Sequence, residues 1–190
     1  CLADDMGLGK TVQVLAVLTL AQRRGEKGTD LLVVPASIID NWRLEIARFA
    51  PDLKLFIAHP SRTPANELKQ VASGRIDGCD AVITTYGTVL RTEWIQSYAW
   101  RNVILDEAQA IKNPGAKQTR AVKNLISKWR LALTGTPVEN RLGDLWSLFD
   151  FLNPGLLGSA KAFNRFCKSM AAGEHGGYGP LRRLVQPYIL

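Results

Sequence analysis

Cysteine is scarce in this 190-residue sequence, and its three cysteines lie far apart. The absence of any Cys-x-x-Cys pair argues against a disulfide framework or a zinc ribbon, and it fits a reducing, intracellular environment. No apolar run approaches the roughly 18 residues that a membrane span needs. The longest, residues 12–21, is also interrupted by Gln13 and Thr19. There is no signal peptide and no internal repeat. Because the sequence opens on Cys1 rather than methionine, we treat it as part of a longer chain.

Acidic residues are scarce in the second half of the sequence. Residues 1–100 carry 11 basic and 11 acidic side chains, whereas residues 101–190 carry 13 basic and 6 acidic ones, so the net charge of +7 arises there. No acid lies between Glu107 and Glu139, a stretch with six basic residues: Lys112, Lys117, Arg120, Lys123, Lys128 and Arg130. A one-sided basic surface suggests a polyanionic partner. The alternative is that these charges form the solvated face of a helix.

Short aliphatic and β-branched runs alternate with longer helical patterns along most of the chain. The strand candidates are residues 30–34, 53–58, 81–84, 103–105 and 131–133. The helical patterns cover residues 10–24, 37–49, 63–74 and 116–129. This alternation predicts an α/β fold in which a mostly parallel sheet is sandwiched by helices.

Two of these helices carry specific expectations about their ends and faces. In the second helix, Ser37 is the expected N-cap and Phe49 lies on the apolar side. In the helix at 116–129, an apolar stripe runs from Val122 to Trp129, opposite the basic residues.

The alternation of strand-like and helical patterns ends at about residue 150. Residues 151–190 show no clear strand and carry five basic residues against one acid. Lys161, Arg165 and Lys168 recur at helical spacing, which predicts one basic helix face, with Phe163 and Phe166 packed inward. We therefore expect one domain at residues 1–150 and a helical appendage at residues 151–190.

A glycine-containing segment precedes the first helix and contains the parts of a phosphate-binding loop. It reads Asp4-Asp5-Met6-Gly7-Leu8-Gly9-Lys10-Thr11. Asp4 replaces the first glycine of the usual pattern. Gly7 and Gly9 still allow backbone N–H groups to approach phosphate oxygens, at the positive end of the following helix. Lys10 has the reach for the β- and γ-phosphates of a nucleotide, and the Thr11 hydroxyl is a magnesium ligand. The alternative is a Gly-Leu-Gly turn beside a surface lysine.

A carboxylate pair follows the apolar run at 103–105. Asp106 is a candidate magnesium ligand, through water, and Glu107 a candidate base that orients the attacking water. For the pair alone, a helix cap at Asp106 is the simpler interpretation. In a parallel sheet, however, these carboxylates and the phosphate-binding segment lie at the same edge. The two motifs together therefore predict a site for hydrolysis of a nucleoside triphosphate.

Three further turns follow predicted strands. Thr134, Gly135 and Thr136 end one strand, and hydroxyls there are expected to hydrogen-bond to the loop at 106–109. Two more segments have hydroxyls and backbone N–H groups suited to phosphate contacts, and their residues are Pro35, Ala36, Ser37, Thr84, Thr85 and Tyr86.

These motifs, in this order, resemble those of the SWI/SNF-type remodelling ATPases, a branch of the superfamily-two helicase-like translocases. The matching segments are residues 2–13 for motif I, 34–37 with Asn41-Trp42 for motif Ia, 83–86 for motif Ib, 106–109 for motif II and 134–137 for motif III. Residues 139–140, 145–148, 152–154 and 184–190 also match, so the resemblance covers essentially the whole chain. Gln109 departs from the usual Asp-Glu-Ala-His, a variant that resembles bacterial branches.

The resemblance implies one RecA-like P-loop NTPase lobe that uses ATP and Mg²⁺. It assigns the binding of the ATP phosphates to six residues: Met6, Gly7, Leu8, Gly9, Lys10 and Thr11. It gives catalytic roles to Lys10, Asp106 and Glu107, and it makes Thr11 and Asp106 the magnesium ligands. The residues that would couple the nucleotide site to DNA are Gln109, Thr134, Gly135 and Thr136. The segments at 35–37 and 84–86 would contact the DNA backbone.

The implied function is an ATP-driven motor on double-stranded DNA that does not separate the strands. It would work in the cytoplasm or nucleoid, as a monomeric motor either alone or within a larger complex, and without a membrane. A second lobe, absent from this chain, would supply arginine fingers, so the lobe alone should hydrolyse ATP negligibly. The alternatives are a strand-separating DNA or RNA helicase, a non-catalytic DNA clamp or scaffold, and the motor of a restriction or anti-phage system.

Overall fold

A computed structural model of the chain describes residues 1–5, 7–69, 71, 74, 76–135, 142–171 and 178–190. Five strands form one sheet in the order β2-β3-β1-β4-β5, and every pairing is parallel. The strands are β1 (Asp30–Val34), β2 (Leu55–Ala58), β3 (Ala81–Thr85), β4 (Ala99–Leu105) and β5 (Ile126–Ala132). The predicted parallel α/β architecture is confirmed.

Helices connect the strands and cover both faces of the sheet. They are α1 (Lys10–Arg23), α2 (Ile39–Phe49), α3 (Ala65–Lys69), α4 (Tyr86–Arg91), α5 (Glu93–Ser97), α6 (Lys117–Lys123), α7 (Leu142–Leu152), α8 (Ala160–Ala171) and α9 (Gly179–Val185). Short 3-10 turns occupy Ala36–Ile38, Ala108–Ile111 and Gln186–Tyr188. No helix in the described ranges has the length and apolar character to cross a membrane.

The sheet separates two apolar cores. Because side chains alternate along a strand, Leu31 and Val33 of β1 pack into one core, whereas Leu32 and Val34 pack into the other. Helices α1 and α2 close the core around Leu32, and α4 to α7 close the core around Leu31. Both faces of β1 are therefore buried, which explains its unbroken apolar run at residues 31–34.

A third apolar cluster joins α7 to the C-terminal helices. Phe149 of α7 packs with Phe163 and Met170 of α8 and with Leu181 of α9, and Phe166 packs against the same cluster. Phe163 and Phe166 thus face inward as predicted, while Lys161, Arg165 and Lys168 are exposed. Helix α7 spans the division expected at residue 150, which stays a prediction.

The helix predicted at 116–129 is wrong in its second half. Helix α6 ends at Lys123, and β5 begins at Ile126 and pairs in parallel with β4. Trp129, expected on a buried stripe, is 75% exposed on this strand at the edge of the described sheet. The apolar stripe did not predict a helix correctly here, because pairing with β4 outweighs the weak local helix preference of the segment.

The start and the outer face of the second helix also differ from expectation. Helix α2 begins at Ile39 after the 3-10 turn, and no side chain caps it, so Ser37 is not its N-cap. Phe49 is 45% exposed, with Arg48 stacked over its ring. The apolar side of α2 is instead buried through Trp42 and Ile46.

Candidate nucleotide and nucleic-acid site

The phosphate-binding segment joins the sheet beside β5 and then turns into α1. Leu2 forms a parallel bridge with Leu133, since its N–H donates to the carbonyl of Ala132 at 2.8 Å. Gly7 and Gly9 have φ values of 85° and 80°, in the left-handed region that glycine adopts without strain. The backbone therefore needs glycine at both positions. Met6 lies outside the described residues.

The side chain of Lys10 folds back onto the loop that precedes it in the sequence. Its Nζ donates to the carbonyls of Asp4 at 2.6 Å and Asp5 at 3.0 Å. Asp4 is tied to α1, because its Oδ2 accepts from Nε2 of Gln13 at 3.1 Å. Leu8 is exposed at the tip of the loop, and Thr11 follows Lys10 in the first turn of α1. The Lys10 ammonium group thus lies against the glycine-containing loop, which the sequence predicts to bind phosphate.

Asp106 is the most constrained carboxylate of the site. Its Oδ2 accepts from the indole Nε1 of Trp42 at 2.8 Å, and its Oδ1 accepts from the N–H of Glu107 at 2.9 Å. Its carbonyl accepts from the Tyr86 hydroxyl at 2.7 Å. Burial raises the pKa of Asp106, an effect that the Trp42 hydrogen bond and the charge of Lys10 partly offset. Burial and the nearby carboxylates likewise raise the pKa of Tyr86 well above its ordinary value.

Glu107 has a strained backbone and a bridged side chain. Its φ of 50° is the one positive value among the described non-glycine residues. Such outliers cluster at functional sites. Its Oε2 accepts from Nε2 of Gln109, whose Oε1 accepts from the Thr134 hydroxyl at 3.2 Å. Gln109 therefore bridges the carboxylate to the third motif, as the sequence predicted for Thr134. Gly135 follows at the same edge, and Thr136 lies outside the described residues.

The two segments expected on DNA differ in exposure. Pro35 is half-buried, and Ala36 and Ser37 are exposed at the carboxyl edge of the sheet. Thr84 and Thr85 are buried: the Thr84 hydroxyl donates to the carbonyl of Ala58 at 2.9 Å, and Thr85 Oγ1 accepts from the N–H of Thr88. These hydroxyls, like that of Tyr86, bond within the fold, and contact of this segment with DNA stays a prediction.

Trp42 makes a contact with Asp106 that the sequence did not predict. The sequence indicates Trp42 only through the match to motif Ia. A buried indole N–H nearly always finds a hydrogen-bond partner, so the sequence held a signal that Trp42 has a polar contact. The identity of that partner, Asp106, depends on the packing of α2 against the sheet.

The candidate metal ligands from the sequence are oxygen donors of a kind that magnesium accepts. In the described part of the chain, no three His, Cys, Asp or Glu side chains come together as a metal site. The ligands that the sequence predicts, the Thr11 hydroxyl and the Asp106 carboxylate, offer oxygen atoms only. Magnesium suits such a set, because it keeps several waters and binds one or two protein oxygens together with phosphates.

The family model described as the SNF2-related domain matches residues 1–190. This chain belongs to the SNF2-related domain family. The likeness extends to solved structures: the Sulfolobus solfataricus SWI2/SNF2 ATPase core in complex with dsDNA is 41% identical, with a TM-score of 0.88, and the match covers 100% of this chain and 39% of that one. The SNF2-related chain thus has the RecA-like fold of that core.

Curated relatives of this SNF2-related chain are much longer proteins. The putative ATP-dependent helicase/translocase YwqA of Bacillus subtilis is 40% identical over 100% of this chain and 21% of its own length. The ISWI chromatin-remodeling complex ATPase CHR17 of Arabidopsis thaliana is 32% identical over 100% of this chain and 18% of its own. The chain spans about a fifth of the length of these relatives.

Proposed function

We propose that this chain is the ATP-binding first lobe of a double-stranded-DNA-dependent ATPase that moves along DNA without separating the strands. The observation that carries the proposal is the set of groups at one edge of the sheet. Lys10 and the glycine loop, Asp106, and the bridge from Glu107 through Gln109 to Thr134 all lie there. Hydrolysis of a nucleoside triphosphate needs these groups together.

Each residue has a defined task in this proposal. Lys10 and the N–H groups of the loop at Gly7 and Gly9 bind the phosphates, and the positive end of α1 points at them. Thr11 and Asp106 hold magnesium, which neutralises the charge on the phosphates. Glu107 accepts a proton from the attacking water, and its bridge to Gln109 fixes the direction of the carboxylate.

The DNA partner is supported by charge and by similarity. The excess of basic residues lies in the second half of the chain, and Ala36 and Ser37 are exposed at the edge that carries the phosphate loop. A solved relative that is 41% identical is a complex with dsDNA. Contacts to the DNA backbone do not depend on base identity, which suits a motor that moves along DNA.

A second lobe in the same polypeptide is part of the proposal. Arginine fingers are worth roughly 10³–10⁵ in rate for related phosphoryl transfers. We therefore predict negligible turnover by the purified 190-residue chain. Robust turnover that Lys10→Ala abolishes would contradict this prediction.

The decisive test is ATP turnover by the full-length protein without nucleic acid and with duplex DNA, single-stranded DNA or RNA. Stimulation by duplex DNA, lost in Glu107→Gln, is the expected result. Stimulation by single strands or RNA, with displacement of a labelled strand, would favour a helicase instead. DNA binding without turnover under any condition would indicate a clamp or scaffold.

A further inference from the structure

Asp106 accepts two hydrogen bonds, one from a segment that is expected on DNA and one from the helix that follows the other such segment. Trp42 lies on α2, directly after the exposed turn that holds Ala36 and Ser37, and its indole donates to the Asp106 carboxylate at 2.8 Å. Tyr86 opens α4, and its hydroxyl donates to the Asp106 carbonyl at 2.7 Å. Asp106, the proposed magnesium ligand, is therefore hydrogen-bonded directly to the segment at 84–86 and, through Trp42 and α2, linked to the segment at 35–37.

The two donors reach Asp106 from opposite faces of the sheet. Trp42 belongs to the core that α1 and α2 close, and Tyr86 belongs to the core that α4 to α7 close. Trp42 is 2% exposed and Tyr86 is 5% exposed, so both donors are buried although Asp106 itself is half-buried. Both side chains are rigid rings with few rotatable bonds. A shift of α2 or α4 is thus passed to Asp106 rather than absorbed by a flexible side chain.

The backbone around Asp106 leaves it little independent freedom. Its N–H donates to the carbonyl of Val33 at 2.9 Å, in the strand that runs into the turn before α2. The N–H of Glu107 donates to the second carboxylate oxygen. The orientation of the carboxylate therefore depends on the positions of the end of β1 and of helices α2 and α4. DNA bound at residues 35–37 and 84–86 would contact the chain next to these elements.

We propose that Trp42 and Tyr86 are positioning residues through which DNA binding sets the orientation of Asp106 and so controls magnesium–nucleotide binding and hydrolysis. This inference rests on the proposed function, because it needs DNA at residues 35–37 and 84–86. Coupling between two sites is reciprocal. Bound magnesium–ADP and duplex DNA must therefore change each other's affinity by one common factor, and that factor depends on these two hydrogen bonds.

The test uses Trp42→Phe and Tyr86→Phe in the full-length protein. Each change removes the donor and keeps an aromatic ring. Trp100→Phe is a matched control, since Trp100 is 1% exposed and its indole donates to the carbonyl of Ile95 at 2.9 Å, outside the site. Tyr98→Phe is the second control, with a hydroxyl that donates to Asp77 at 3.2 Å. Thermal melting checks that all four variants fold.

Two quantities are measured: the ratio of ATP turnover with and without saturating duplex DNA, and the factor by which that DNA changes the affinity for magnesium–ADP. Because Trp42 donates to a charged carboxylate, Trp42→Phe should reduce the ratio about tenfold or more. Tyr86→Phe, which loses a bond to a neutral carbonyl, should reduce it about threefold. The affinity factor should fall in parallel, and both controls should keep the wild-type values.

Wild-type values of both quantities in Trp42→Phe and Tyr86→Phe would overturn the inference and leave the proposed function standing. A wild-type protein that duplex DNA does not stimulate would overturn the proposed function, and this inference with it. If Trp42→Phe fails to fold, Tyr86→Phe decides the question, since it removes a single oxygen atom.

Discussion

Glu107 carries its carboxylate on a backbone conformation that a side chain normally disfavours. Its φ of 50° and ψ of 53° lie in the left-handed helical region, which costs roughly 1–2 kcal/mol for a residue with a Cβ atom. The conformation begins the 3-10 turn that brings Gln109 back toward Glu107. The strained backbone conformation thus helps to orient the Glu107 carboxylate toward Gln109.

The strain at residue 107 predicts that glycine is more stable than alanine there. Both variants lose the Gln109 hydrogen bond and differ only in the Cβ atom, so Glu107→Gly should exceed Glu107→Ala by about 1 kcal/mol in unfolding free energy. At Glu93, in the first turn of α5, the order should reverse by about 0.5–1 kcal/mol. Urea denaturation of the four variants measures both differences. An equal preference for alanine at both positions would mean that Glu107 is unstrained.

Cys79 should react slowly with thiol reagents. Burial, assisted by the nearby charge of Asp80, raises the pKa of its thiol. A higher pKa leaves less thiolate at a given pH, so alkylation should require a higher pH in the folded chain than in urea. The measurement is the pH profile of alkylation in a chain that also carries Cys1→Ser and Cys167→Ser. Identical profiles in the folded and unfolded chains would contradict the prediction.

At the scale of secondary-structure elements, a buried ion pair fastens β1 to β4. Asp30 is fully buried, and it accepts from Nε and Nη2 of Arg101 and from Nδ2 of Asn102. The Asp30 carboxylate also holds the pKa of Arg101 above its ordinary value, chiefly through these hydrogen bonds. The pair therefore fixes the relative position of the strands whose far ends carry residues 35–37 and 106–107.

Removal of one partner of this pair should be strongly destabilising. Arg101→Met leaves a buried carboxylate without its counterion, and we expect a loss of about 3–5 kcal/mol in unfolding free energy. The double variant Arg101→Met with Asp30→Leu removes both charges and should recover at least half of that loss. Denaturant titrations of the three proteins supply the comparison. A double variant no more stable than the single one would show that the cost is lost packing rather than an unpaired charge.

The elements that the sequence predicted correctly are those whose local pattern and tertiary environment agree. The unbroken apolar run of β1 predicted a strand, and it lies at the centre of the sheet with both faces buried. The segment at 126–132 failed because its pattern fits two structures. Ile126 and Trp129 are spaced as on a helix, yet both are exposed on β5. Only pairing with β4 decides between them, and pairing is a long-range property.

At the scale of the whole molecule, a parallel sheet explains why the site could be predicted before its contacts. Every strand ends at the same edge, so motifs that follow strands must meet there. The bridge between Gln109 and Thr134 was predictable on this basis. The hydrogen bonds of Trp42 and Tyr86 to Asp106 were not, because they cross the sheet plane from two separate cores and depend on how α2 and α4 pack.

The uneven charge of the molecule predicts how the proposed motor would bind DNA. Contacts from basic side chains and backbone N–H groups to phosphates release counterions and carry no sequence information. We therefore expect the full-length protein to bind duplexes of unrelated sequence with equal affinity, and to lose about a thousandfold between about 50 and 200 mM salt if it makes about six phosphate contacts. Fluorescence anisotropy with duplexes of scrambled sequence across a salt series measures both properties. A footprint on one defined sequence that persists at high salt would mean that the protein recognises base edges. That result would contradict the proposal, because a motor that moves over every sequence cannot depend on particular bases.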